Sequence, residues 1–219
     1  MAERDGPKSR CAYERIRLRH IALSVRGRGM STLIVFLDFE ASSLGKHGFP
    51  IEVGWAAEDG TEAGHLIRPA PGWEEWSSDA ERIHGITLDR LRHEGEPHEV
   101  VATHMVQVLS GHDLYASAPS WDGHWLSRLL RAAGLPRHAL RLRDTEEVQT
   151  RTVIEILDAA GIPSDRQCTL ANDILVPTRR AFAKAAPAHR ALDDARRELQ
   201  LWQEVRRRAE EATAREHSR

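Results

Sequence analysis

The sequence predicts an α/β fold, a five-stranded mixed sheet flanked by helices. Residues 33–37 form an unbroken apolar run rich in β-branched side chains, typical of a central strand buried on both faces. Two strand-like segments follow it and are separated by Asp59-Gly60, a hairpin turn sequence. Beyond residue 78, helical and strand-like segments alternate. This order predicts an antiparallel meander of three strands, followed by two strands that helices connect.

The first half of the chain carries the predicted meander. A loop after the first strand is marked by Gly45, Gly48 and Pro50. We expect the second and third strands at residues 51–57 and 62–68, where apolar and β-branched side chains recur. Ser78 followed by Glu81 is a capping-box pattern, which predicts that a short helix begins there.

The second half predicts the alternation of helices and strands. Helical spacing is found at residues 100–109, 121–133, 146–160 and 178–185. Short strands are expected at residues 113–118 and 140–143. A last helix is expected from about Ala191 to beyond Arg207. We therefore divide the chain into a basic N-terminal extension (1–29), an α/β domain (30–210) and a charged tail (211–219).

Bulk properties exclude several classes of protein. The 219 residues are enough for one substantial core, and 41% of them are hydrophobic. No apolar run approaches the ~18 residues of a membrane span, and the N-terminus has no apolar segment typical of a secretion signal. Cys11 and Cys168 fit no metal-binding spacing. These features predict a cytoplasmic protein without membrane contact.

Charge is unevenly distributed along the chain. Residues 1–29 hold eight Lys/Arg against three Asp/Glu, a net charge of +5. The remaining residues hold 23 against 30, a net charge of −7. A polyanionic ligand would therefore need metal cations or a local basic patch. The leader is interpreted either as a basic nucleic-acid arm or as an extension upstream of a true start at Met30.

Asp38 and Glu40 lie two residues apart at the end of the central strand. Side chains at this spacing point to the same face of a strand, so the two carboxylates repel each other. A divalent cation with oxygen ligands would relieve that repulsion. The alternative is a strand end that emerges into solvent.

Helical phase selects two further carboxylates. Asp122 projects into the apolar stripe of the predicted helix 121–133, although a helix N-terminus also favours an aspartate there. Asp194 borders the buried stripe of the last helix, whereas Asp193 faces water. His189 precedes that helix and, taken alone, is one of twelve histidines.

Three motifs and an intervening segment occur together in one order. The motifs are Leu37-Asp38-Phe39-Glu40-Ala41-Ser42-Ser43-Leu44, Ala116-Ser117-Ala118-Pro119-Ser120-Trp121-Asp122 and His189-Arg190-Ala191-Leu192-Asp193-Asp194-Ala195. Ile83-His84-Gly85-Ile86-Thr87 lies between the first two, and Asp144-Thr145 between the last two. Over about residues 32–205 the chain resembles the DEDDh family of 3′–5′ exonucleases, which includes polymerase proofreading subunits, ribonuclease T and oligoribonuclease. Ser43, Ser117 and Ala118 depart from the family pattern, which affects expected rate and substrate preference.

The resemblance implies a ribonuclease H-like fold and metal-dependent hydrolysis of DNA or RNA from the 3′ end, releasing nucleoside 5′-monophosphates. Two Mg²⁺ or Mn²⁺ ions would be held by Asp38, Glu40, Asp122 and Asp194. His189 would be the general base. In this pattern Asp38 bridges both ions, Glu40 and Asp194 hold the ion that carries the attacking water, and Asp122 acts on the leaving-group side.

The resemblance also suggests contacts to the terminal nucleotide. The candidates are Phe39, Ala41, Leu44, His84, Gly85 and Ile86. For Phe39 and Ile86, ordinary packing is an equal alternative. The expected partner is a single-stranded 3′ end of DNA or RNA, and a homodimer or a polymerase partner stays open. Two other hypotheses are a non-catalytic nucleic-acid-binding or regulatory module on this fold, and a hydrolase of small nucleotides or very short oligonucleotides.

Overall fold

A six-stranded mixed sheet forms the centre of the structure, a computed structural model that describes residues 32–217. The strands are β1 (Ile34–Ala41), β2 (Pro50–Ala57), β3 (Glu62–Arg68), β4 (Glu96–Pro97), β5 (Asp113–Ala116) and β6 (Leu142–Asp144). They lie in the order β4-β3-β2-β1-β5-β6. β1, β2 and β3 are antiparallel, whereas β5 runs parallel to β1 and β6 parallel to β5. The predicted meander and the helix-connected strands are confirmed.

The sheet has one strand more than the five predicted. β4 contains two residues and pairs in parallel with the end of β3, where Ile67 lies opposite Glu96. A two-residue strand has no alternation of polar and apolar side chains, so periodicity cannot detect it.

Seven helices surround the sheet in residues 32–217. They are α1 (Ser78–His84), α2 (Leu88–Glu94), α3 (His98–Leu109), α4 (Pro119–Ala132), α5 (Thr145–Ala159), α6 (Ser164–Phe182) and α7 (Ala191–His217). The cap of α1 is Ser77 rather than the predicted Ser78, and its hydroxyl accepts a hydrogen bond from the Ala80 backbone N–H. α2 was not predicted. Its start is capped by Thr87, which accepts a hydrogen bond from the Arg90 N–H.

The two C-terminal helices are longer than the patterns indicate. Only residues 178–185 are predicted helical in the α6 region, because Pro177 interrupts an otherwise helical segment. α7 continues to His217, so the predicted tail is helical that far, and Thr213 is buried there. Arg206 and Glu210, one helical turn apart, form an ion pair that favours this continuation. The predicted extension 1–29 lies outside the described residues, as does Met30.

The side chains of β1 alternate between the two faces of the sheet. Leu37 and Phe39 belong to a core that includes side chains of α3 and α4. Phe36 points the other way and packs on Trp202 of α7, with ring centroids 6.1 Å apart. The two-residue period of a strand therefore directs Asp38 and Glu40 towards α7.

A separate observation concerns membranes. Within residues 32–217, no helix has both the length and the apolar character that crossing a bilayer requires.

Candidate metal centre

Three carboxylates meet where β1 ends and α7 begins. Asp38 and Glu40 come from β1, and Asp194 comes from the first turn of α7. One carboxylate oxygen from each lies within 4.8 Å of the other two. All three side chains keep part of their surface accessible, whereas the neighbouring Asp193 is exposed on the outer side of α7, at 53% of its side chain. The structure thus selects Asp194 over Asp193, as helical phase does.

Two glycines allow α7 to approach the sheet this closely. Gly54 of β2 lies opposite Asp38 in the sheet, and a Cβ added to Gly54 would lie 2.2 Å from the backbone nitrogen of Leu192. A Cβ on Gly64 of β3 would lie 3.2 Å from the Leu192 side chain. The first turn of α7 therefore rests directly on backbone, which brings Asp194 to β1.

A buried ion pair fixes the entry into α7. Glu52, with a side chain 6% exposed, accepts hydrogen bonds from the Arg190 guanidinium at 2.6–3.2 Å and from the Ala191 N–H at 3.0 Å. Asp194 also accepts a hydrogen bond from the Ala188 N–H at 3.0 Å, which closes the preceding loop onto the helix. These contacts set the position of the helix start independently of any ligand.

Asp122 approaches the group from α4. Its residue is 4% exposed, and its Oδ2 atom is buried without a hydrogen-bond partner among the described residues. A buried carboxylate oxygen without a partner is energetically costly. The charge of Asp122 also acts on Asp38, so the two side chains are near neighbours.

Without a bound cation, burial and mutual repulsion disfavour the simultaneous ionisation of the four carboxyl groups of this site, which belong to Asp38, Glu40, Asp122 and Asp194. Burial, followed by the charge of Asp122, raises the pKa of Asp38 well above its usual value. Burial and the charge of Asp194 raise the pKa of Glu40 to about 7. Burial raises the pKa of Asp122 to about 7, although backbone hydrogen bonds, that at Ala118 first, oppose the shift. A bound cation would reverse each of these costs.

His189 lies in the loop immediately before α7. It is half-buried and has φ = 53°, the only positive φ of a non-glycine among residues 32–217. Such a conformation costs about 1–3 kcal/mol and is concentrated at functional sites. The three-carboxylate group does not include His189, and the sequence offers no pattern that predicts the strained backbone.

The predicted nucleotide contacts divide into buried and exposed residues. Ile86 is 0% exposed and packs with Phe49, and Phe39 is 7% exposed in the core, so both occupy the packing positions that the sequence left as an alternative. Ala41 is also buried, at 8%. Leu44, at 72%, and Gly85 are exposed.

His84 is buried but has an unused polar atom. Its Nδ1 accepts a hydrogen bond from the Ile86 N–H at 3.0 Å, whereas its Nε2 is buried with no partner among the described residues. Burial is the main cause that lowers its pKa, which favours the neutral ring. A neutral imidazole with a free nitrogen can form a hydrogen bond to a ligand.

Glu198 is a residue near the site that sequence reasoning missed. It lies one helical turn after Asp194 and one turn before Trp202, and its charge acts on Asp38. Burial is the main cause that raises the pKa of Glu198, and the charge of Asp194 adds to it. The same helical phase that selects Asp194 could have identified it.

Comparisons with known proteins give a likeness of fold. No protein-family model and no curated protein matches the sequence. Among solved structures, the zinc-bound complex of E. coli exonuclease I with single-stranded DNA is similar to 82% of this chain, with a TM-score of 0.58 and 16% identity. A structure of exonuclease I described in terms of processivity is similar to 81% of the chain, with a TM-score of 0.57 and 17% identity. Each similarity spans 41% of the exonuclease I chain. The described chain therefore has the ribonuclease H-like fold of exonuclease I, as its motifs predict.

Proposed function

We propose that the protein is a metal-dependent 3′–5′ exonuclease of the DEDDh type, which hydrolyses DNA or RNA from the 3′ end. The observation that carries this proposal is the set of oxygens from Asp38, Glu40 and Asp194 within 4.8 Å of one another. They lie on a fold that is shared with exonuclease I, whose solved complex contains zinc and single-stranded DNA.

The residues present fit divalent cations. The donors are carboxylate oxygens only, the ligand type that Mg²⁺ and Mn²⁺ prefer. Asp122 adds a buried Oδ2 without a partner, and the raised pKa values of Asp38 and Glu40 are those of carboxylates that lack a compensating charge. Two ions would be held by Asp38, Glu40, Asp194 and Asp122.

Each residue has a defined task in the proposed hydrolysis. The bound ions would neutralise the phosphate and make the water a stronger nucleophile. His189 would accept the proton that the water loses as it attacks phosphorus. The bond from phosphorus to the 3′ oxygen of the preceding nucleotide breaks, that oxygen takes up a proton from solvent, and a nucleoside 5′-monophosphate is released. Asp122 lies on the leaving-group side in this scheme.

The strand end would be held next to the carboxylates. Leu44 is exposed on the loop after β1 and offers an apolar surface to a sugar or base. His84 offers its free Nε2, and the exposed Gly85 leaves the backbone accessible beside it. Phe39, Ala41 and Ile86 would support these contacts from the core. A cytoplasmic location, and a homodimer or polymerase partner, stay predictions from the sequence.

A substrate panel tests the proposal. Purified protein is incubated with 5′-labelled single-stranded DNA, RNA, mismatched duplex and a dinucleotide, each with Mg²⁺, Mn²⁺ or EDTA. We expect shortening from the 3′ end that requires a divalent cation and disappears in Asp38→Asn. Cleavage that persists in Asp38→Asn at the wild-type rate would contradict the site. Binding without hydrolysis under every condition would favour the non-catalytic module instead.

A further inference from the structure

A groove with basic walls begins beside Asp122 and runs along α4. It has a volume of about 640 Å³ and lies between α4 and the segment that leads to β6. Its basic side chains are His124, Arg131, Arg137, His138 and Arg141, of which the three arginines carry the positive charge. Among residues 32–217, no carboxylate lines it. We call this surface the α4 groove.

Three arginines of the α4 groove have no anionic partner in the part of the chain that the structure describes. Arg131, Arg137 and Arg141 are exposed, and none forms an ion pair with another residue of the described segment 32–217. Nearby, Arg143 does pair with Asp113, at 2.6 Å. The positive charge of the groove is therefore uncompensated, although residues 30–219 carry a net charge of −7. Such a surface is available for an external polyanion.

The buried end of the same helix face is also crowded with positive charge. Arg128 lies one turn before Arg131 and above the Trp73 ring, 5.5 Å from its centroid. Burial, and then the charge of Arg131, lowers the pKa of Arg128, and its Nε is buried without a hydrogen-bond partner among the described residues. Arg128, which lies next to the groove without lining it, therefore adds positive charge on α4 between Arg131 and Asp122, with Glu75 as a nearby counter-charge.

The α4 groove adjoins the proposed site through one residue. Gly123 lines the groove and directly follows Asp122. Trp121, on the other side of Asp122, is 46% exposed and stacks on Trp125 with centroids 6.0 Å apart. An exposed indole held in place by a second ring is a platform on which an unpaired base can stack.

We propose that the α4 groove binds the phosphates of a single strand just upstream of the 3′ end, with a base stacked on Trp121. This inference rests on the proposed function, because it takes the 3′ end to lie at the carboxylates. From Asp122 to Arg131 the helix rises about 14 Å at ~1.5 Å per residue, the length of about four nucleotides of a strand whose bases stay stacked at the ~3.4 Å rise of B-DNA. A duplex would hide its base faces from Trp121, so an unpaired strand fits better.

Binding measured in EDTA tests the groove without hydrolysis. A 5′-fluorescein (dT)12 strand is titrated with wild type and with R131Q/R137Q/R141Q at several NaCl concentrations. The triple variant is expected to bind about 10- to 100-fold more weakly at 0.1 M salt. The slope of log K against log [salt] should become less steep by about 2, since each single-strand phosphate contact contributes ~0.7. Trp121→Ala should weaken binding of the single strand about tenfold.

A charge-matched control separates the groove from net charge. R68Q/R92Q/R215Q removes three exposed arginines outside the groove and should leave affinity and slope unchanged. Thermal unfolding verifies that each variant is folded. R141Q alone should make the slope of log K against log [salt] less steep by about 0.7. Equal effects of the two triple variants, or an unchanged slope in the groove triple, would overturn the inference. If a duplex binds with the same dependence on Trp121 and the three arginines, the proposal that the groove prefers a single strand would be overturned.

Hydrolysis separates failure of the groove from failure of the proposed function. With Mn²⁺, the groove triple should lower the ratio of (dT)12 to dinucleotide hydrolysis about tenfold. If wild type hydrolyses neither substrate, the proposed function fails, while the EDTA titration still decides whether the groove binds a strand. An unchanged ratio in an active, folded triple variant would overturn the groove alone.

Discussion

Two helices bring carboxylates to the end of β1 from opposite faces of the sheet, and their polar groups differ. At the start of α7, the polar side chains have partners within the protein: Asp194 accepts a hydrogen bond from the Ala188 N–H, and Arg190 pairs with Glu52. α4 leaves a buried oxygen of Asp122 and the buried Nε of Arg128 without a hydrogen-bond partner among the described residues. Unsatisfied polar groups of both signs are costly unless a ligand completes them. The difference indicates that α7 positions the carboxylates, and it supports the proposal that α4 faces the ligand.

The largest expected effect comes from neutralising one carboxylate on each helix. Asp194→Asn and Asp122→Asn should each lower the rate of 3′-end hydrolysis by at least about 10³-fold, because each removes charge that opposes the cations and the phosphate. In EDTA, Asp122→Asn should raise the midpoint of thermal unfolding more than Asp194→Asn, since only Asp122 has an unpartnered buried oxygen. The rates come from a single-turnover assay and the midpoints from calorimetry.

Asp193→Asn is the matched control for this pair. Asp193 is adjacent to Asp194 but exposed, and it contacts Arg196 at 3.0 Å. Its rate should stay within about twofold of wild type, as for an ordinary surface substitution. A loss in Asp193→Asn as large as in Asp194→Asn would contradict the selection of Asp194.

The next effect concerns how closely α7 approaches the sheet. Gly54→Ala places a Cβ 2.2 Å from the Leu192 backbone nitrogen, so the start of α7 must move away from β1. A displacement of about 1 Å can lower the rate about 100-fold, and the overpacking should cost about 1–3 kcal/mol of unfolding free energy. Denaturant unfolding and metal titration measure the two consequences.

Gly64→Ala provides the graded comparison. Its Cβ would lie 3.2 Å from the Cβ of Leu192, so the start of α7 must shift by only a few tenths of an ångström. The losses of hydrolysis rate and of unfolding free energy should therefore both be smaller than in Gly54→Ala. Equal losses in the two variants would indicate that the backbone approach at Gly54 does not position Asp194.

The stability of the metal-free protein should depend on pH through the same carboxylates. Folding raises the pKa of Glu40 from 4.5 and of Asp122 from 3.8, in each case to about 7. The folded state therefore binds protons that the unfolded state has lost, so stability present below pH ~4 is lost as pH rises through about 7. A cation that replaces those protons should stabilise the protein more at pH 7.5 than at pH 5.5. At about 100 times its Kd, the stabilisation at pH 7.5 would be ~2.7 kcal/mol.

Thermal unfolding in EDTA and in Mn²⁺ across pH 4–8 measures this linkage. Asp122→Asn should flatten the decline seen in EDTA, since it removes one of the titrating groups. A metal-induced stabilisation that is equally large at pH 5.5 and pH 7.5 would show that these carboxylates do not hold the ion.

Periodicity and turn chemistry are enough to predict the order of the main strands and helices. A buried run such as 33–37 and a turn such as Asp59-Gly60 are determined by neighbours in sequence, and both occur as expected. Two-residue β4 and the early turns of α6 depend on tertiary pairing, which local sequence does not encode. Elements that depend on neighbours in sequence are therefore predictable, whereas elements that depend on contacts between distant residues are not.

The candidate site shows the same division. Strand alternation places Asp38 and Glu40 on one face, and helical phase distinguishes Asp194 from Asp193. The glycine contact at Gly54 could not be predicted, because its partner Leu192 is far away in sequence. The unpaired charge along α4 was also missed, since an arginine without a partner is defined by what surrounds it in space.

The smallest expected effect comes from Glu198, a further acidic residue of α7 that lies near Asp38. Its charge reaches Asp38, and burial raises its pKa, so it adds negative potential beside the three-carboxylate group. Glu198→Gln should weaken Mn²⁺ binding about tenfold, comparable to loss of a group that supports metal ligands. It should also raise the unfolding midpoint in EDTA, because a buried negative charge is removed. Glu210→Gln, exposed on the same helix and paired with Arg206, should change neither value. Calorimetric Mn²⁺ titration of both variants decides the matter: equal affinities would leave Glu198 with a packing role alone, and the field at the carboxylates would then come from Asp38, Glu40, Asp122 and Asp194.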